Sequence, residues 1–323
     1  NIPNAGVTDY MHNISIVEIN NHVNGSANSC QTSAATGNNP PTATGNPCGA
    51  TYNIPTQTPF CITGSGSDPD GDNLTYTWEG FDLGTHQDPI MAPTTNSEPL
   101  FRSFGPSTSP TRTFPQLSTI LSGNYNGDQT AAALGIGNWQ GELLPEVARP
   151  TMKLRLTVRD NKAGGGGVEY DEVSINVVNT GAPFKVTNPD AGGSWAAGSN
   201  LNVTWNVSGT TAAPISCANA TIKLSVDGGL TYPITLAANT QNDGAETITI
   251  PNNIPATSNA RIRIECGTTC FKFFDISNAN FTITNTNCTV SNPALCPETA
   301  MTLPVGDPML SNLGLSSYYS ALS

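Results

Sequence analysis

The sequence predicts an all-β protein of tandem immunoglobulin-like sandwiches, with a short N-terminal helix and an extended C-terminal tail. Three observations carry that expectation. Only 11 % of the 323 residues are charged, against roughly 25 % in an average soluble protein. Helical surfaces draw on Glu, Lys and Arg, and here Asn, Thr, Ser and Gly supply the polarity instead. The chain is punctuated by 31 Gly and 25 Pro, residues that set turn geometry. Short runs of alternating apolar and polar residues recur between these turn signals, as in sandwich folds.

Along the chain, residues 1–50 read as a helix followed by a cysteine-pinned loop. Val7, Tyr10, Met11, Ile14 and Val17 recur at helical spacing, which predicts a helix over 7–20 capped by Thr8 or Asp9. Residues 51–180 read as a first sandwich. Its strands are PFCITGSGS, NLTYTWEG with Leu74, Tyr76 and Trp78 on one face, MKLRLTVRD with Met152, Leu154, Leu156 and Val158 inward, and VEYDEVSINVV. The last two, joined by Gly164–Gly167, form a closing hairpin. Residues 84–148 interrupt this unit as a long insertion, a length often tied to function. Residues 181–285 carry seven short alternating runs, FKVTNP, LNVTWNV, TIKLSV, TYPITL, ETITIP, ARIRIEC and NFTI. They predict a second sandwich with its own separate core and Trp205 inside it. Residues 286–323 form the tail.

Net charge is −12 with only 12 Lys and Arg, and no basic cluster occurs. Nucleic acid is excluded as an expected partner, and no apolar run is long enough for a helical membrane span. The eight cysteines are Cys30, Cys48, Cys61, Cys217, Cys266, Cys270, Cys288 and Cys296. None shows paired zinc-type spacing, so disulfides in an oxidising compartment are expected. Local pairs Cys30–Cys48 and Cys288–Cys296 fit the spacing, Cys217 has Cys266 or Cys270 as candidate partner, and Cys61 has no obvious one. The chain starts at Asn1-Ile2-Pro3 without Met, which reads as a piece of a longer precursor.

No HExxH, GxSxG, phosphate loop or dinucleotide fingerprint occurs, and the three histidines, His12, His22 and His86, are scattered. No catalytic or organic-cofactor residue is expected. The sharpest constellation is Asp68-Pro69-Asp70-Gly71-Asp72. Alternating carboxylates on a tight turn can converge on one hard cation, with Asp160 approaching from a neighbouring strand end. The expected metal ligands of a structural calcium are therefore Asp68, Asp70, Asp72 and Asp160; a plain Pro-Gly turn with solvated carboxylates is the alternative. A second motif, Ser225-Val226-Asp227-Gly228-Gly229-Leu230-Thr231-Tyr232, is similar to the Asp-box hairpin with Tyr replacing its Trp. There the Asp caps the turn and the aromatic packs beneath.

Longer blocks carry a family resemblance. TPFCITGSGSDPDGDNLTYTWEGFDLG (58–84), LFRSFGPSTSPTRTFPQL (100–117) and LPEVARPTMKLRLTVRDN (144–161) resemble the region after the catalytic domain of large bacterial secreted reprolysin-like zinc metallopeptidases. GAPFKVTNPDAGGSW (181–195), LNVTWNV and FFDISNANFTI (273–283) resemble the following Ig-like module, and DYMHNISIVEINNHVNGSANSC resembles the end of the protease domain. DPDGD is shared with many PKD-like and cadherin-like modules. The resemblance implies a secreted or cell-surface setting, but the HExxH segment is not in this sequence, so no catalytic role transfers. The leading expectation is a non-catalytic region for adhesion, substrate presentation or spacing, with a protein or surface glycan as ligand. The alternative is a fibre subunit self-associating through strand addition by the tail, residues 297–323.

Overall fold

The computed structural model describes residues 10–25, 34–82, 84, 96–123, 125 and 142–285. In the first half, α1 (Asn13–Asn24) and β1 (Thr42–Thr44) precede β2 (Tyr52–Pro55), β3 (Phe60–Thr63), β4 (Ser65–Ser67) and β5 (Thr75–Gly80). Then come β6 (Thr111–Phe114), α2 (Leu117–Ser122), β7 (Arg149–Arg159) and β8 (Val168–Val178). The second half contributes β9 (Lys185–Asn188), β10 (Ser194–Ala196), β11 (Asn200–Asn206), β12 (Asn219–Ser225) and β13 (Ile234–Gln241). It ends with β14 (Ala245–Thr249), β15 (Thr257–Gly267), β16 (Phe271–Ile276) and β17 (Phe281–Thr284). The protein is all-β, with immunoglobulin-like sandwich layering.

The first half stacks the sheet β2-β8-β7-β5 over β3, β6 and the β1-β4 ribbon. The expected β7–β8 hairpin is present, and Met152, Leu154, Leu156 and Val158 are fully buried on its inner face. Between β3 and β4 the chain passes close under the opposite sheet. A Cβ on Gly64 would lie 2.5 Å from Leu156 Cδ2 and 3.0 Å from Trp78 Cζ2, so only glycine fits. The second half packs β14-β11-β9 against β13, β12, β15 and β16. Trp205 is 4 % exposed, and its indole N–H donates to Asn242 Oδ1 at 2.8 Å. Asn242 in turn donates to Thr210 Oγ1 and to the Cys217 carbonyl.

The expected separation of two cores does not hold. β3 pairs antiparallel with β16, setting Phe60 opposite Phe273 and Ile62 opposite Phe271. One sheet therefore runs β10-β17-β15-β16-β3-β6 through both halves. Phe60 packs on Phe114 (5.2 Å), Phe101 (5.8 Å) and Phe271 (5.8 Å), while Tyr52 stacks on Phe271 at 4.2 Å. Buried residues from Tyr52 to Ile283 form one contiguous cluster. The region expected as an insertion also differs, since its β6 is a strand of this shared sheet. Its α2 covers Phe274 and Ile276 on the outer side of β16.

Helix α1 begins later than expected, at Asn13, and Thr8 and Asp9 lie outside the described residues. The disulfides differ as well. Cys48 bonds Cys270 rather than Cys30, crosslinking the halves over 222 residues. The physical reason is the shared sheet, which carries the β15–β16 turn to the loop before β2. Cys217 bonds Cys266, one of its two expected partners. Among the described residues Cys61 is free. Cys30 and the expected Cys288–Cys296 pair lie outside them.

Candidate functional site

Of the four expected metal ligands, the structure brings three together. One carboxylate oxygen each from Asp68, Asp70 and Asp72 lies within 4.8 Å of the others. Calcium–oxygen distances of about 2.3–2.6 Å would let these atoms share one cation. Asp68 Oδ1 accepts the N–H groups of Asp70 (2.9 Å) and Asp72 (3.0 Å), and its other oxygen is buried without a protein donor. The other two carboxylates already have partners. Asn39 donates to Asp70 from its backbone (2.7 Å) and side chain (3.0 Å), holding Asp70 below the usual carboxylate range. Lys162 Nζ sits 2.7 Å from Asp72.

Asp160 is not in the cluster. It is 2 % exposed and turned into the β7–β8 connection. Burial alone would raise its pKa, but Asn38 Nδ2 (2.6 Å) and the N–H groups of Lys162 (3.0 Å) and Gly167 (2.8 Å) hold it below the usual range. Its role is to shape the hairpin turn.

Sequence reasoning did not single out the other arrangement. Glu79, on β5, is 4 % exposed and lies at the N-terminus of α1. Its Oε2 accepts the Asn13 N–H at 3.1 Å, and its Oε1 receives His12 Nδ1 at 3.1 Å and the Ser103 hydroxyl. His12 itself makes no side-chain cap. A strand carboxylate more than sixty residues away therefore caps the helix, matching its positive end with negative charge. Arg159 completes the dock by donating to Thr77 Oγ1 and to the Met11 carbonyl, both at 2.8 Å. The helix thus rests on polar groups, leaving Met11, Ile14, Ile19 and Val23 exposed.

Between α1 and β5 lies a cavity of about 310 Å³, walled by His12, Ser15, Glu79, Phe81, Phe101 and Ser103 among others. With its Nδ1 proton turned to Glu79, the neutral form of His12 has Nε2 left as an acceptor, and the Ser103 oxygen, also hydrogen-bonded to Tyr10, keeps one lone pair. Two phenyl rings supply apolar walls. Ser103 donates to the carboxylate and not to the imidazole, so the three side chains are not ordered as a hydrolytic triad, which needs the hydroxyl on the base.

The remaining charged clusters are structural. Arg112 Nη2 meets buried Glu142 at 2.6 Å and lies over Phe114. Glu265 on β15 would be raised by burial, but Arg263, Lys272 and Lys223 at 2.7–3.0 Å hold it below the carboxylate range. The Asp-box reading holds. Asp227 accepts from the Ser225 hydroxyl (2.6 Å) and from Thr231 N and Oγ1 (3.0 and 2.6 Å), which push it down to about 2. Tyr232 packs beside α2 and Phe274.

No family profile matches the chain, and no curated protein matches it. Solved structures with partial likeness include the N-terminal four Ig domains of Dscam1 isoform 1.9, at 11 % identity and TM-score 0.20 over 78 % of this chain and 48 % of that one. The Bacteroides ovatus mixed-linkage glucan SGBP-B, in complex with a mixed-linkage heptasaccharide, matches at 14 % and 0.20, covering 77 % of this chain and 48 % of that one. Drosophila N-cadherin EC1-4 matches at 11 % and 0.22, covering 77 % and 50 %. The chain spans about half the length of these structures. The assignment to immunoglobulin-like sandwiches rests on the strand order and layered core described above.

Proposed function

We propose that this chain is a non-catalytic extracellular region that spaces and presents a ligand-binding surface within a secreted, metallopeptidase-like multidomain protein. The observation that carries the reading is the β3–β16 pairing, which makes both sandwiches one body and so fixes the distance and angle between its ends. Disulfide bonding of Cys48–Cys270 and Cys217–Cys266 supports an oxidising, extracellular setting. The ligand class favoured is a hydroxyl-rich glycan. The α1–β5 cavity combines acceptors with the rings of Phe81 and Phe101, and sugars offer hydroxyl donors and apolar ring faces. Calorimetric titration against soluble polysaccharides tests this: binding is expected, weakened about tenfold by His12→Ala and by Ser103→Ala, each loss corresponding to one hydrogen bond of roughly 1.4 kcal/mol. Absence of any glycan binding, or binding indifferent to both substitutions, overturns the glycan reading. Chelator-sensitive proteolysis by the isolated chain overturns the non-catalytic one.

We also retain a structural calcium at Asp68, Asp70 and Asp72 as part of this proposal, supported by their spacing and by the donorless Asp68 oxygen. Calcium at 100-fold over its Kd should add about 2.7 kcal/mol of stability, and Asp72→Asn should remove that gain. A melting curve unmoved by calcium and by chelator leaves a plain turn, held by the Asp68 carboxylate on its own backbone and by Asn39 and Lys162. The fibre alternative, strand addition by the tail 297–323, falls on residues outside those described; among the described residues it has one supporting feature, that β13, ITLAANTQ, pairs only with β12 and carries no charge, so its outer edge is open to an added strand. Electron microscopy at rising concentration tests it, filaments favouring it and monodisperse particles removing it.

A further inference from the structure

We propose that tension along this chain crosses the Cys48–Cys270 bridge, so that strands β2 to β15 are bypassed while the α1 flank yields first and pulls the α1–β5 cavity apart. The bridge closes a covalent loop of 222 residues. Every strand from β2 to β15 lies inside that loop, whereas α1 and β1 lie before it and β16 and β17 follow Cys270. A pull entering upstream of Cys48 and leaving downstream of Cys270 therefore loads the sulfur–sulfur bond, and the backbone within the loop bears no tension while that bond stays closed.

The loaded N-terminal flank is held by polar contacts. They are the Glu79 cap on Asn13 and His12, Arg159 on the Met11 carbonyl, Asn38 on Asp160, Asn39 on Asp70, Asp171 on the Gly45 N–H, and the three-residue β1–β4 pairing. By contrast the shielded loop holds the fully buried Phe60, Phe114, Leu154 and Leu156, and the loaded C-terminal flank is anchored in the shared core by Phe271, Phe273, Phe281 and Ile283 of β16 and β17. The cavity straddles the two: His12 to Ser15 belong to the loaded flank, and Glu79, Phe101 and Ser103 to the shielded body. Stretching separates those walls before the shared core opens, so anything held between them is released under load. The physiological meaning rests on the extracellular-spacer reading; the force response rests on the bridge alone.

The test is single-molecule stretching of the full 323-residue chain between handles, oxidised and then with a small phosphine reductant. At about 3.4 Å per residue, the two flanks together release no more than about 350 Å. Oxidised molecules should stop there. Reduction should add about 750 Å for the opened loop. The Cys48→Ser/Cys270→Ser variant, keeping the nested Cys217–Cys266 bridge of 49 residues, should add about 590 Å. Glu79→Gln should lower the force of the first short step and leave later steps unchanged. Peptide mapping checks the bridge in the same sample. The proposal is overturned if bridged molecules lengthen several hundred ångströms past the flanks, if reduction adds nothing, if the first step ignores Glu79→Gln, or if Cys48 is bonded elsewhere. None of these outcomes bears on glycan binding, which the titration decides separately.

Discussion

Replacing Phe60 with alanine should destabilise both halves of the molecule at once. Phe60 is fully buried on β3 and touches Phe101 and Phe114 in its own half and Phe271 across the seam, at 5.2–5.8 Å between ring centres. Truncating such a phenylalanine costs about 3–5 kcal/mol, the lost transfer energy plus the cavity left behind, and the aromatic pairs account for roughly 0.5–1.5 kcal/mol each within that sum. For a body of this size, about 4 kcal/mol lowers the melting temperature by on the order of 10 °C. Differential scanning calorimetry reads the outcome. The wild-type protein should melt in one transition because one contiguous cluster spans both halves, and Phe60→Ala should move that transition as a whole. The reasoning is refuted if the wild type shows two transitions and the substitution shifts only one. Folding units that melt independently would mean that the seam pairing contributes little.

Burial raises the Asp275 carboxyl to about 7, with the Val186 N–H at 2.8 Å acting the other way. The folded state therefore holds a proton that the unfolded chain has lost, and stability should fall as pH rises from about 4 to about 7; urea titrations of Asp275→Asn should show that slope reduced. Asp227 is shifted oppositely, so its contribution is present above the ordinary carboxylate range and is lost as pH falls toward about 2. Asp227→Ala should cost about 1–2 kcal/mol at neutral pH, with the difference from wild type fading near pH 2 in denaturant melts. Glu79→Ala removes the cap of α1 and strands His12 and Ser103 without their acceptor; limited proteolysis within residues 10–25 should accelerate severalfold while the β-sheet circular dichroism is retained.

What the sequence revealed follows the range of the interactions concerned. The strand from Met152 to Val158 was legible because its outward positions, Lys153, Arg155 and Thr157, are polar, so the alternation shows even where both faces are covered. The Asp-box turn was legible too, because Asp227 bonds residues only four positions away. Strand β16 was not, and its burial explains why. Phe273 faces the shared core while Phe274 is covered by α2 and Tyr232, so both faces are apolar and the period of two disappears. Once β16 was missed, its pairing with β3 and the Cys48–Cys270 bond could not be inferred, since both join residues far apart in the chain. The Glu79 site was hidden for the same reason: TWEG reads as an ordinary strand until the fold carries His12 to it. The DPDGD motif showed its three convergent carboxylates, whereas Asp160, suggested as a fourth, is committed to its own turn.

The seam also limits how this protein can be cut. A boundary placed between β8 and β9 looks natural by sequence, yet it would strip β3 of its neighbour β16 and leave Phe60 and Ile62 beside a bare sheet margin. An isolated N-terminal piece would carry an adhesive border of unpaired backbone next to aromatic rings, and a C-terminal piece would carry the matching one along Phe271 and Phe273. Two such halves, mixed in solution, possess the complementary edges needed to find each other and rebuild the whole.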